Sequence, residues 1–565
     1  MIAGIDLGTT NSEIAVFVDG EVKLIPNRLG KLLTPSIVSI DEDNNVLVGE
    51  TAREYGMLHP LNTARLFKRS MGTEKEYQVG GRRFVPAELS SFILKSLKED
   101  AEAYLGCEVT DVIISVPAYF NEHQRKATKQ AGELAGLNVV RIVNEPTAAA
   151  IAYGVGDKDK DERCLVFDLG GGTFDVSILE FYKNIMEVHA IAGDNFIGGE
   201  DFTSLLATMF LERNAVAPES LDILTMNRVL KAAEECKRKY IENDEQTMSV
   251  IINGDELVAT ISLADYEKAS EFLLEKMRKP IERSLKDAGV RLQDIDRIVL
   301  VGGATRLPIV RNFVAKIFKR FPDVHVDPDT AVVEGVSIQA AMKERNEEIR
   351  EVVLTDVCPF TLGTEVMEFN GIYDEPGHYL PIIERNTTIP VSRTQTVFTA
   401  HDDQTRIVVK VLQGESRMAF NNLLLGEISV PVPKGPKGKE KIDITYTYDI
   451  NSLLQVEVNV LSTGVTRKAI IQGGKSTLSD EEVNERFEKL KYLKMKPRDE
   501  EENRLVIHRG ERLYEESSGN DRMIINSLLM EFDRCLEKQD RIEIERKRKE
   551  LIKAFDRIEF FLPEE

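Results

Sequence analysis

The chain has 565 residues, of which 42% are apolar and 30% are charged, a composition that excludes a fibrous or intrinsically disordered protein. Asp and Glu number 95 against 73 Lys and Arg, so the formal net charge is −22, and neither nucleic acid nor an anionic membrane is expected as a main partner. At this length we expect about three or four domains.

The cysteines and the start of the chain predict a cytoplasmic protein. The five cysteines are odd in number and far apart, with no C-x-x-C pair, which disfavours a disulfide framework and a zinc site and favours reduced thiols. A strand begins at Ile2 with no basic and apolar stretch before it, so no secretion signal is expected. No apolar run approaches the roughly 20 residues needed to cross a bilayer.

Residues 1–346 form the first predicted domain, in which short apolar strands alternate with longer amphipathic helices. The predicted strands are 4–7, 111–116, 164–169 and 297–301, and the predicted helices are 86–104, 121–134, 201–213 and 263–288. This alternation predicts α/β layers in which helices cover a mixed sheet.

A linker between domains is predicted at residues 347–356. A charged helical tail gives way there to Val352, Val353 and Leu354, and Asp356 follows. An apolar stretch flanked by charges can be buried in one state and tolerate water in another. The same residues also fit an ordinary edge strand.

Two further domains are predicted after the linker. From 357 to 475 apolar residues alternate with polar ones, as in 442–448 and 454–460, and Ile407, Val409 and Val411 line one side of a third strand. This period of two predicts an antiparallel β domain with one buried face. From 476 to 565 the period is helical. A predicted capping box of Ser479 and Glu482 precedes apolar stripes over 483–494, 525–536 and 551–558.

Two glycine turns, in residues 4–12 and 167–176, carry the main chemical signal. In each, a strand ends in a carboxylate (Asp6 or Asp168), and a glycine turn and a threonine lead into a second strand. We expect the glycines to adopt positive φ so that backbone N–H groups approach a phosphate, while the carboxylates hold a hydrated Mg²⁺. No G-x-x-x-x-G-K-[ST] string is present, which excludes a Walker-type site. Either turn alone fits a tight β-turn, but the duplication predicts two lobes across a cleft.

The two turns resemble those of the superfamily of actin, hexokinase and the seventy-kilodalton heat-shock proteins. Further strings are similar to those of the DnaK-type heat-shock chaperones, namely VPAYF at 116–120, NEPTAAA at 144–150, GGEDF at 198–202, VGGATR at 301–306, NTTIP at 386–390 and VLQGE at 411–415. The resemblance covers residues 1 to about 475, and the short C-terminus is most similar to the HscC branch of that family.

The resemblance implies a two-lobed, actin-like α/β ATPase domain, followed by an antiparallel β-sandwich and a shortened α-helical lid. It also implies ATP or ADP, Mg²⁺ and K⁺ as bound groups. The implied catalytic residues are Lys68, Glu145, Asp168, Thr173 and Asp175. Lys68 would position the attacking water and offset charge on the transferred phosphate, although without the motif it fits a solvated surface lysine. Asp6 and Asp168 would hold the metal through water.

The nucleotide contacts implied by the resemblance come from both turns and from two facing walls. They are Asp6, Gly8, Thr9, Thr10, Asn11, Gly170, Gly171, Gly172, Thr173, Gly198, Gly199, Glu200, Glu234, Lys237, Arg238, Gly302, Gly303, Arg306 and Asp329. One departure occurs at Ile241, where the family usually has a small hydroxyl residue near adenine, which implies altered nucleotide affinity.

The resemblance further implies coupling between ATP and a peptide site. ATP would dock the linker (Val352, Val353, Leu354) and the β domain onto the ATPase lobes, Pro117 and Arg125 would relay the nucleotide state, and Arg141 and Asp356 would meet a J-domain co-chaperone. Thr355 interrupts the leucines usual in this linker. The implied partners are unfolded or client polypeptides, a J-domain co-chaperone and a nucleotide-exchange factor.

The peptide site implied by the resemblance consists of Leu362, Thr364, Met367, Val397, Ala400, Ile407 and Val409. Met367 and Ala400 would arch over an extended segment whose apolar side chain fills a pocket beside Ile407. Thr364 and Val397 replace residues that are usually larger and apolar, which implies a different peptide preference. All seven residues also fit a plain sandwich core.

Three alternatives to an ATP-driven chaperone remain open from the sequence. A sugar kinase would use the same ATPase fold but would have no need of a β cleft with a helical lid. An actin-like filament subunit would sediment with ATP. A nucleotide-regulated adaptor would bind one dedicated client and ignore varied unfolded peptides.

Overall fold

The computed structural model describes residues 1–154, 161–182, 185–323, 325–345, 353–369, 374–450, 453–471, 498 and 501–560. The chain forms two compact units. The first comprises Met1–Thr361, Glu384–Ile389 and Ile450–Ser452, and the second comprises Leu362–Ile383, Pro390–Asp449 and Leu453–Glu565. The domain boundaries expected from the sequence stay predictions.

The first unit opens with a mixed sheet. Its elements are β1 (Ile2–Leu7), β2 (Asn11–Val18), β3 (Glu21–Leu24), β4 (Thr34–Pro35), β5 (Ile37–Ile40), β6 (Val46–Val48), α1 (Glu50–Leu58), β7 (Thr63–Arg65), β8 (Tyr77–Val79), β9 (Arg82–Phe84), α2 (Pro86–Leu105), β10 (Asp111–Val116), α3 (Glu122–Leu134), β11 (Asn138–Asn144) and α4 (Glu145–Gly154). The strand order is β11-β10-β1-β2-β3, with β1 parallel to β10 and antiparallel to β2. Apolar side chains of β1 and β2 (Ile5, Ile14) share a buried core with Ile93 and Leu97 of α2. The predicted strands at 4–7 and 111–116 and helices at 86–104 and 121–134 are confirmed.

A second mixed sheet repeats this plan. Its part of the chain contains β12 (Glu162–Leu169), β13 (Phe174–Tyr182), β14 (Ile185–Asp194), α5 (Gly199–Arg213), α6 (Ile223–Lys239), β15 (Glu245–Ile252), β16 (Asp255–Ser262), α7 (Leu263–Ala269), α8 (Glu271–Asp287), β17 (Arg297–Val301), α9 (Pro308–Phe318), α10 (Ala331–Lys343) and β18 (Val353–Val357). The order is β17-β12-β13-β14-β18, with β12 antiparallel to β13 and parallel to β17. Each sheet therefore carries one antiparallel hairpin beside a parallel strand, so the duplicated hairpin is confirmed. The actin-like arrangement of two lobes stays a prediction.

The prediction of one continuous helix over 263–288 is wrong, because this segment forms two helices. The chain leaves α7 at Ser270 and begins α8 with the next residue. The buried Ser270 hydroxyl donates to the carbonyl of Tyr266 at 2.7 Å. A serine that bonds to nearby backbone competes with the helical ladder, and apolar periodicity does not report this break.

The second unit contains two antiparallel sheets. The strands that follow β18 are β19 (Leu362–Phe369), β20 (Asp374–Ile383), β21 (Thr388–Ile389), β22 (Val391–Phe398), β23 (Arg406–Gln413), β24 (Leu423–Pro431), β25 (Lys441–Tyr448), β26 (Leu454–Val460) and β27 (Val465–Ile471). The sheet orders are β20-β19-β23-β24 and β22-β25-β26-β27, whereas β21 belongs to the first unit and pairs with β18. Ile442, Ile444 and Tyr446 of β25 are fully buried, as are Val456 and Val458 of β26. The alternation in the sequence therefore identified these strands.

Three helices complete the described part of the second unit. They are α11 (Glu501–Glu516), α12 (Gly519–Lys538) and α13 (Arg541–Phe560). Their shared core contains Leu513, Ile525, Phe532, Leu551 and Phe555, which confirms the apolar stripes predicted over 525–536 and 551–558. The predicted capping box and the stripe over 483–494 lie outside the described residues. Among the described helices, none has the length and apolar content needed to span a bilayer.

Candidate functional site

Three carboxylates of the predicted site lie on the two hairpins. Asp6 on β1 accepts a hydrogen bond from Ser115 Oγ at 2.7 Å, and Asp175 on β13 accepts one from the backbone N–H of Tyr119 at 3.1 Å. Asp168 lies opposite Asp175 in the β12–β13 ladder. Its Oδ2 atom is buried, and no hydrogen-bond donor reaches it within the described part of the chain. The group therefore contains an oxygen that is free to accept from a bound ligand.

Lys68 is buried, with only 3% of its side chain exposed. It lies in a short 3₁₀ turn, Phe67–Ser70. Its Nζ atom donates to Glu145 Oε1 at 2.8 Å and lies 5.6 Å from the ring centre of Phe120. The interpretation of Lys68 as a solvated surface lysine is therefore wrong.

Burial and mutual repulsion raise the pKa values of these carboxyls. Burial raises the pKa of Asp175 to about 8 and that of Glu145 to about 7, although the Lys68 ammonium opposes the shift in both cases. Burial also raises the pKa of Asp6, and burial followed by repulsion from Glu145 raises the pKa of Asp168 well above its usual range. Since one ammonium faces four carboxyls, a further cation would stabilise their ionised forms.

The two glycine turns pack against each other. A Cβ atom placed on Gly171 would lie 2.3 Å from Thr10 Cγ2, and one placed on Gly172 would lie 2.5 Å from Thr9 Cγ2. On the first turn, a Cβ at Gly8 would lie 2.0 Å from the carbonyl oxygen of Asn11. A side chain at Gly171 or Gly172 would therefore push the two turns apart, and one at Gly8 would distort the first turn.

The expected positive φ at these turns is wrong. The glycines with positive φ do not include Gly8, Gly170, Gly171 or Gly172. Glycine is required here by close approach of neighbouring atoms instead. A positive φ of 81° does occur at Gly302, where a Cβ would lie 2.4 Å from the carbonyl oxygen of Leu169.

A cavity of about 650 Å³ opens beside the two turns. Twelve of the predicted nucleotide contacts line it: Thr9, Thr10, Asn11, Gly171, Gly199, Glu200, Glu234, Lys237, Arg238, Gly303, Arg306 and Asp329. Ile241 lines it as well. Three more adjoin these lining residues: Gly199 N–H donates to the carbonyl of Gly170 at 2.9 Å, and a Cβ would lie 2.5 Å from Thr9 Cγ2 at Gly172 and 2.6 Å from the carbonyl carbon of Gly171 at Gly198. The structure thus brings most of the predicted contacts to one cavity, whereas Asp6, Gly8, Thr173 and Gly302 are not among the residues that line it.

The cavity wall formed by α6 carries paired charges. Glu234 contacts Lys237 at 2.6 Å and Arg238 at 2.8 Å, and Lys237 also donates to the carbonyl of Gly199 at 3.0 Å. Burial raises the pKa of Glu234, but Lys237 and three hydrogen bonds outweigh it, so the net pKa lies below its usual range. On the opposite wall, the Arg306 guanidinium contacts Asp329 at 2.8 Å.

The predicted coupling residues lie around β18, within the first unit. Asn144 Nδ2 donates to Asp356 Oδ2 at 2.8 Å, and Arg125 Nη2 donates to Asn144 Oδ1 at 2.6 Å. Arg125 also donates to the carbonyl of Ala118, next to Pro117, at 3.1 Å. A small cavity of about 20 Å³ is lined by Arg125, Arg141, Asn144, Leu354 and Asp356, among others.

The apolar segment before Asp356 forms a strand in the structure. The backbone of Val353 pairs with Ile185, and that of Leu354 with Met186, so that β18 runs parallel to β14. Val352 and the side chain of Val353 lie outside the described residues. The interpretation as a strand is therefore confirmed, although β18 is not at the edge of its sheet, because β21 also pairs with it. A switching role stays a prediction.

The predicted peptide-site residues divide between the two sheets of the second unit. Leu362, Thr364 and Met367 lie on β19, Ile407 and Val409 on the neighbouring β23, Val397 on β22, and Ala400 in the loop after β22. The β19–β23 ladder covers Leu362 to Thr364, and Met367 lies beyond it. Leu362, Thr364, Ile407 and Val409 are buried, whereas Met367, Val397 and Ala400 are partly exposed. The buried residues fit a core role equally well, so the peptide site stays a prediction.

Known proteins of one family match nearly the whole chain. The sequence pattern of the family described as Hsp70 protein matches residues 2–558. The chain belongs to the Hsp70 family. It is 41% identical over 504 residues to the chaperone protein DnaK of Thermosipho melanesiensis and 41% identical over 505 residues to that of Thermotoga maritima. Each match covers 87% of this chain and 83% of the relative.

The members of the Hsp70 family are ATP-hydrolysing chaperones. Membership in this family therefore disfavours a sugar kinase or a filament subunit as the function of the chain. The match extends through the β strands and the three C-terminal helices as well as the hairpins. The narrower HscC assignment stays a prediction.

The carboxylates of this Hsp70-family chain fit a hydrated Mg²⁺. Asp168 offers a buried oxygen without a donor, and Asp6 lies at the end of the other hairpin. No three acidic, histidine or cysteine groups within the described ranges are placed to ligate a metal directly. Mg²⁺ usually keeps several of its waters, so binding through water agrees with this arrangement.

Three residues of the site were missed by the sequence interpretation. Glu13 of β2 is 2% exposed, and neither of its carboxylate oxygens has a hydrogen-bond partner in the described residues. Burial and then repulsion from Asp6 raise its pKa to about 9. Its position among buried apolar residues of a central strand was a usable signal. Arg69 follows Lys68 directly and Asp201 lies in the string at 198–202, but spacing alone gave them no role.

Proposed function

We propose that this Hsp70-family chain is a chaperone that hydrolyses ATP to control its grip on extended apolar peptide segments. The observation that carries the proposal is the packing of two glycine turns against each other above a buried group of carboxylates and one buried lysine. Thr9 and Thr10 of one turn contact Gly172 and Gly171 of the other. Backbone N–H groups and threonine hydroxyls from both turns can then hold the same triphosphate.

In this proposal Lys68 has two roles in hydrolysis. Its ammonium, fixed by Glu145 at 2.8 Å, offsets negative charge as the bond to the terminal phosphate breaks, and it orients the attacking water. Glu145, with a pKa of about 7, is suited to take up the proton that water releases, and Asp175 belongs to the same catalytic group. Asp168 and Thr173 complete the catalytic group.

Asp6 and Asp168 are the proposed metal-holding residues. Mg²⁺, when bound through water, neutralises phosphate oxygens and orients them. K⁺ is proposed within the same acidic group, near Asp175. The nucleoside end of ATP would lie along the charged wall of α6, beside Glu234 and Arg238, with Ile241 altering its affinity.

We further propose that nucleotide state is transmitted through β18 to the sandwich. The hydrogen-bonded series Arg125–Asn144–Asp356 supports this, because a change at any member alters the anchoring of β18. Arg141 and Asp356 would receive a J-domain co-chaperone, and a nucleotide-exchange factor would act on the cleft. Peptide would bind near Met367, Ala400 and Ile407.

The deciding experiment measures release of a fluorescent peptide and of inorganic phosphate together. We expect faster peptide dissociation with ATP than with ADP. Lys68→Ala is expected to lower phosphate release at least about 100-fold while ATP still binds, and Lys75→Ala, at an exposed position, serves as the matched control. Equal dissociation rates with both nucleotides would refute the proposed coupling, and normal turnover of Lys68→Ala would refute the role of the lysine. Binding of one client alone, with no varied peptides, would favour the dedicated adaptor.

A further inference from the structure

Arg69, the residue after Lys68, bridges two parts of the nucleotide cleft. Its Nε atom donates to the carbonyl of Gly172 at 2.9 Å, and its Nη2 atom donates to Asp201 Oδ2 at 2.6 Å. The same Asp201 oxygen accepts the backbone N–H of Gly198 at 2.8 Å. One guanidinium therefore ties the turn that carries Lys68 to the second glycine turn and to the start of α5.

The guanidinium is packed closely against the second turn. A Cβ atom on Gly172 would lie 2.7 Å from Arg69 Nε and 2.5 Å from Thr9 Cγ2. A Cβ on Gly198 would lie 2.5 Å from Gly172 N. Arg69, Thr9 and Gly198 thus all lie close to Gly172, and removing the guanidinium removes one of these neighbours.

The turn that carries Lys68 has little internal support. It is a 3₁₀ turn of four residues, and such turns have poorer hydrogen-bond geometry than α-helices. Leu66, just before it, adopts the left-handed conformation with φ 58°. The buried side chain of Phe67 anchors the turn in the core, and side-chain bonds fix the two cations that it carries: Lys68 is held by Glu145, and Arg69 is held by Gly172 and Asp201.

We propose that Arg69 is a positioning residue for ATP hydrolysis, which keeps the Lys68 ammonium in register with the second glycine turn. This inference rests on the proposed ATPase function. Arginine suits the role because its planar fork donates to two acceptors in different directions, whereas lysine is a point charge. Bonds to ionised partners are also stronger than neutral ones. Asp201 keeps its bond to Gly198 when Arg69 is removed, so the start of α5 should persist.

The test compares Arg69→Met with Arg69→Lys in the full-length protein. We expect Arg69→Met to lower the single-turnover rate of ATP hydrolysis by about 10-fold to 100-fold, since small displacements of catalytic groups have costs of this size. The ADP dissociation constant should change less than about 3-fold, and Arg69→Lys should recover part of the rate. Arg83→Met, at an exposed arginine paired with Glu76, is the matched control and should hydrolyse ATP normally.

A double variant separates positioning from general stabilisation. If Arg69 acts through Asp201, adding Asp201→Asn to Arg69→Met should lower the rate little further, because residues in one network are not additive. Unchanged hydrolysis in Arg69→Met would overturn the inference. Parallel losses of hydrolysis, ADP affinity and melting temperature would also overturn it, because they indicate a structural bridge alone. If the unmodified protein releases no phosphate, the proposed function itself fails, whatever Arg69 does.

Discussion

Glu13 makes the stability of the first unit depend on pH in a direction that can be measured. Its carboxyl is 2% exposed, and the charged groups that act on it most strongly are acidic: Asp6 on β1, Asp329 and Asp327 before α10, and Glu334 on α10. Burial is the main cause and repulsion the second, and together they raise its pKa from 4.5 to about 9. The folded chain therefore favours the protonated, neutral form.

The sign and size of the effect follow from the two pKa values of Glu13. Between about pH 4.5 and pH 9 the folded chain keeps this proton while the unfolded chain loses it. The unfolded state then binds fewer protons, so the free energy of unfolding falls as pH rises, by at most about 1.4 kcal/mol per pH unit. The stabilisation by the neutral Glu13 carboxyl is fully present below the pKa that Glu13 has in the unfolded chain. Between pH 5 and pH 8 the free energy of unfolding falls by about 4 kcal/mol.

Glu13→Gln tests this reasoning because glutamine has a similar shape and does not ionise. The stability of the variant relative to the parent should rise by about 4 kcal/mol from pH 5 to pH 8. Asp175 and Glu145 titrate in the same range but occur in both proteins, so their effects cancel in the difference. Urea unfolding, monitored by circular dichroism, measures the stability difference between the variant and the parent. Because a bound ligand stabilises the unit that binds it, the transition that shifts on adding ADP belongs to the first unit.

The control is Glu21→Gln, at an exposed position of β3, which should show no such change with pH. A stability difference between Glu13→Gln and the parent that stays constant from pH 5 to pH 8 would refute the reasoning. It would mean that Glu13 is ionised in the folded chain, with a cation or donor beside it.

Two further predictions concern coupling and peptide binding. Leu354→Asp should abolish the acceleration of peptide release by ATP, because burying a charge beside β14 is costly. The control Leu461→Asp, at a partly exposed turn, should leave this acceleration intact. An unchanged release rate in Leu354→Asp would count against the coupling strand. Ile407→Phe should weaken peptide affinity about 10-fold by overfilling a buried position, as measured by fluorescence anisotropy. Val408→Phe, on the same strand but 49% exposed, should bind normally, and equal affinities in both variants would place the pocket elsewhere.

Regular elements of the fold could be predicted because their patterns reflect burial directly. The period of two in β25 and β26 and the apolar stripes of α12 and α13 follow from which faces meet a core. The break at Ser270 could not, since it depends on one hydroxyl bonding to the Tyr266 carbonyl. Hydrophobic periodicity continues across such a break.

The sequence could predict which residues form the candidate site but not how they contact one another. The duplicated strings identified Thr9, Gly171 and their neighbours, which do line one cavity. The need for glycine was assigned to backbone angle, whereas it arises from contact between residues far apart in the chain. The bridge made by Arg69 is also a long-range fact that no local spacing contains, whereas the burial of Glu13 could have been inferred from the apolar residues around it on β2.

The parallel ladder between β14 and β18 is short, with three register pairs from Val353 to Thr355. A protein hydrogen bond adds about 0.5 to 1.5 kcal/mol net, so the backbone pairing of Val353 to Thr355 with β14 contributes only a few kcal/mol. A ligand that prefers one state by 100-fold supplies about 2.7 kcal/mol, which is of the same size. In the proposed coupling, ligand affinities of ordinary size would therefore suffice to release and recapture these three register pairs without unfolding the rest of the sheet.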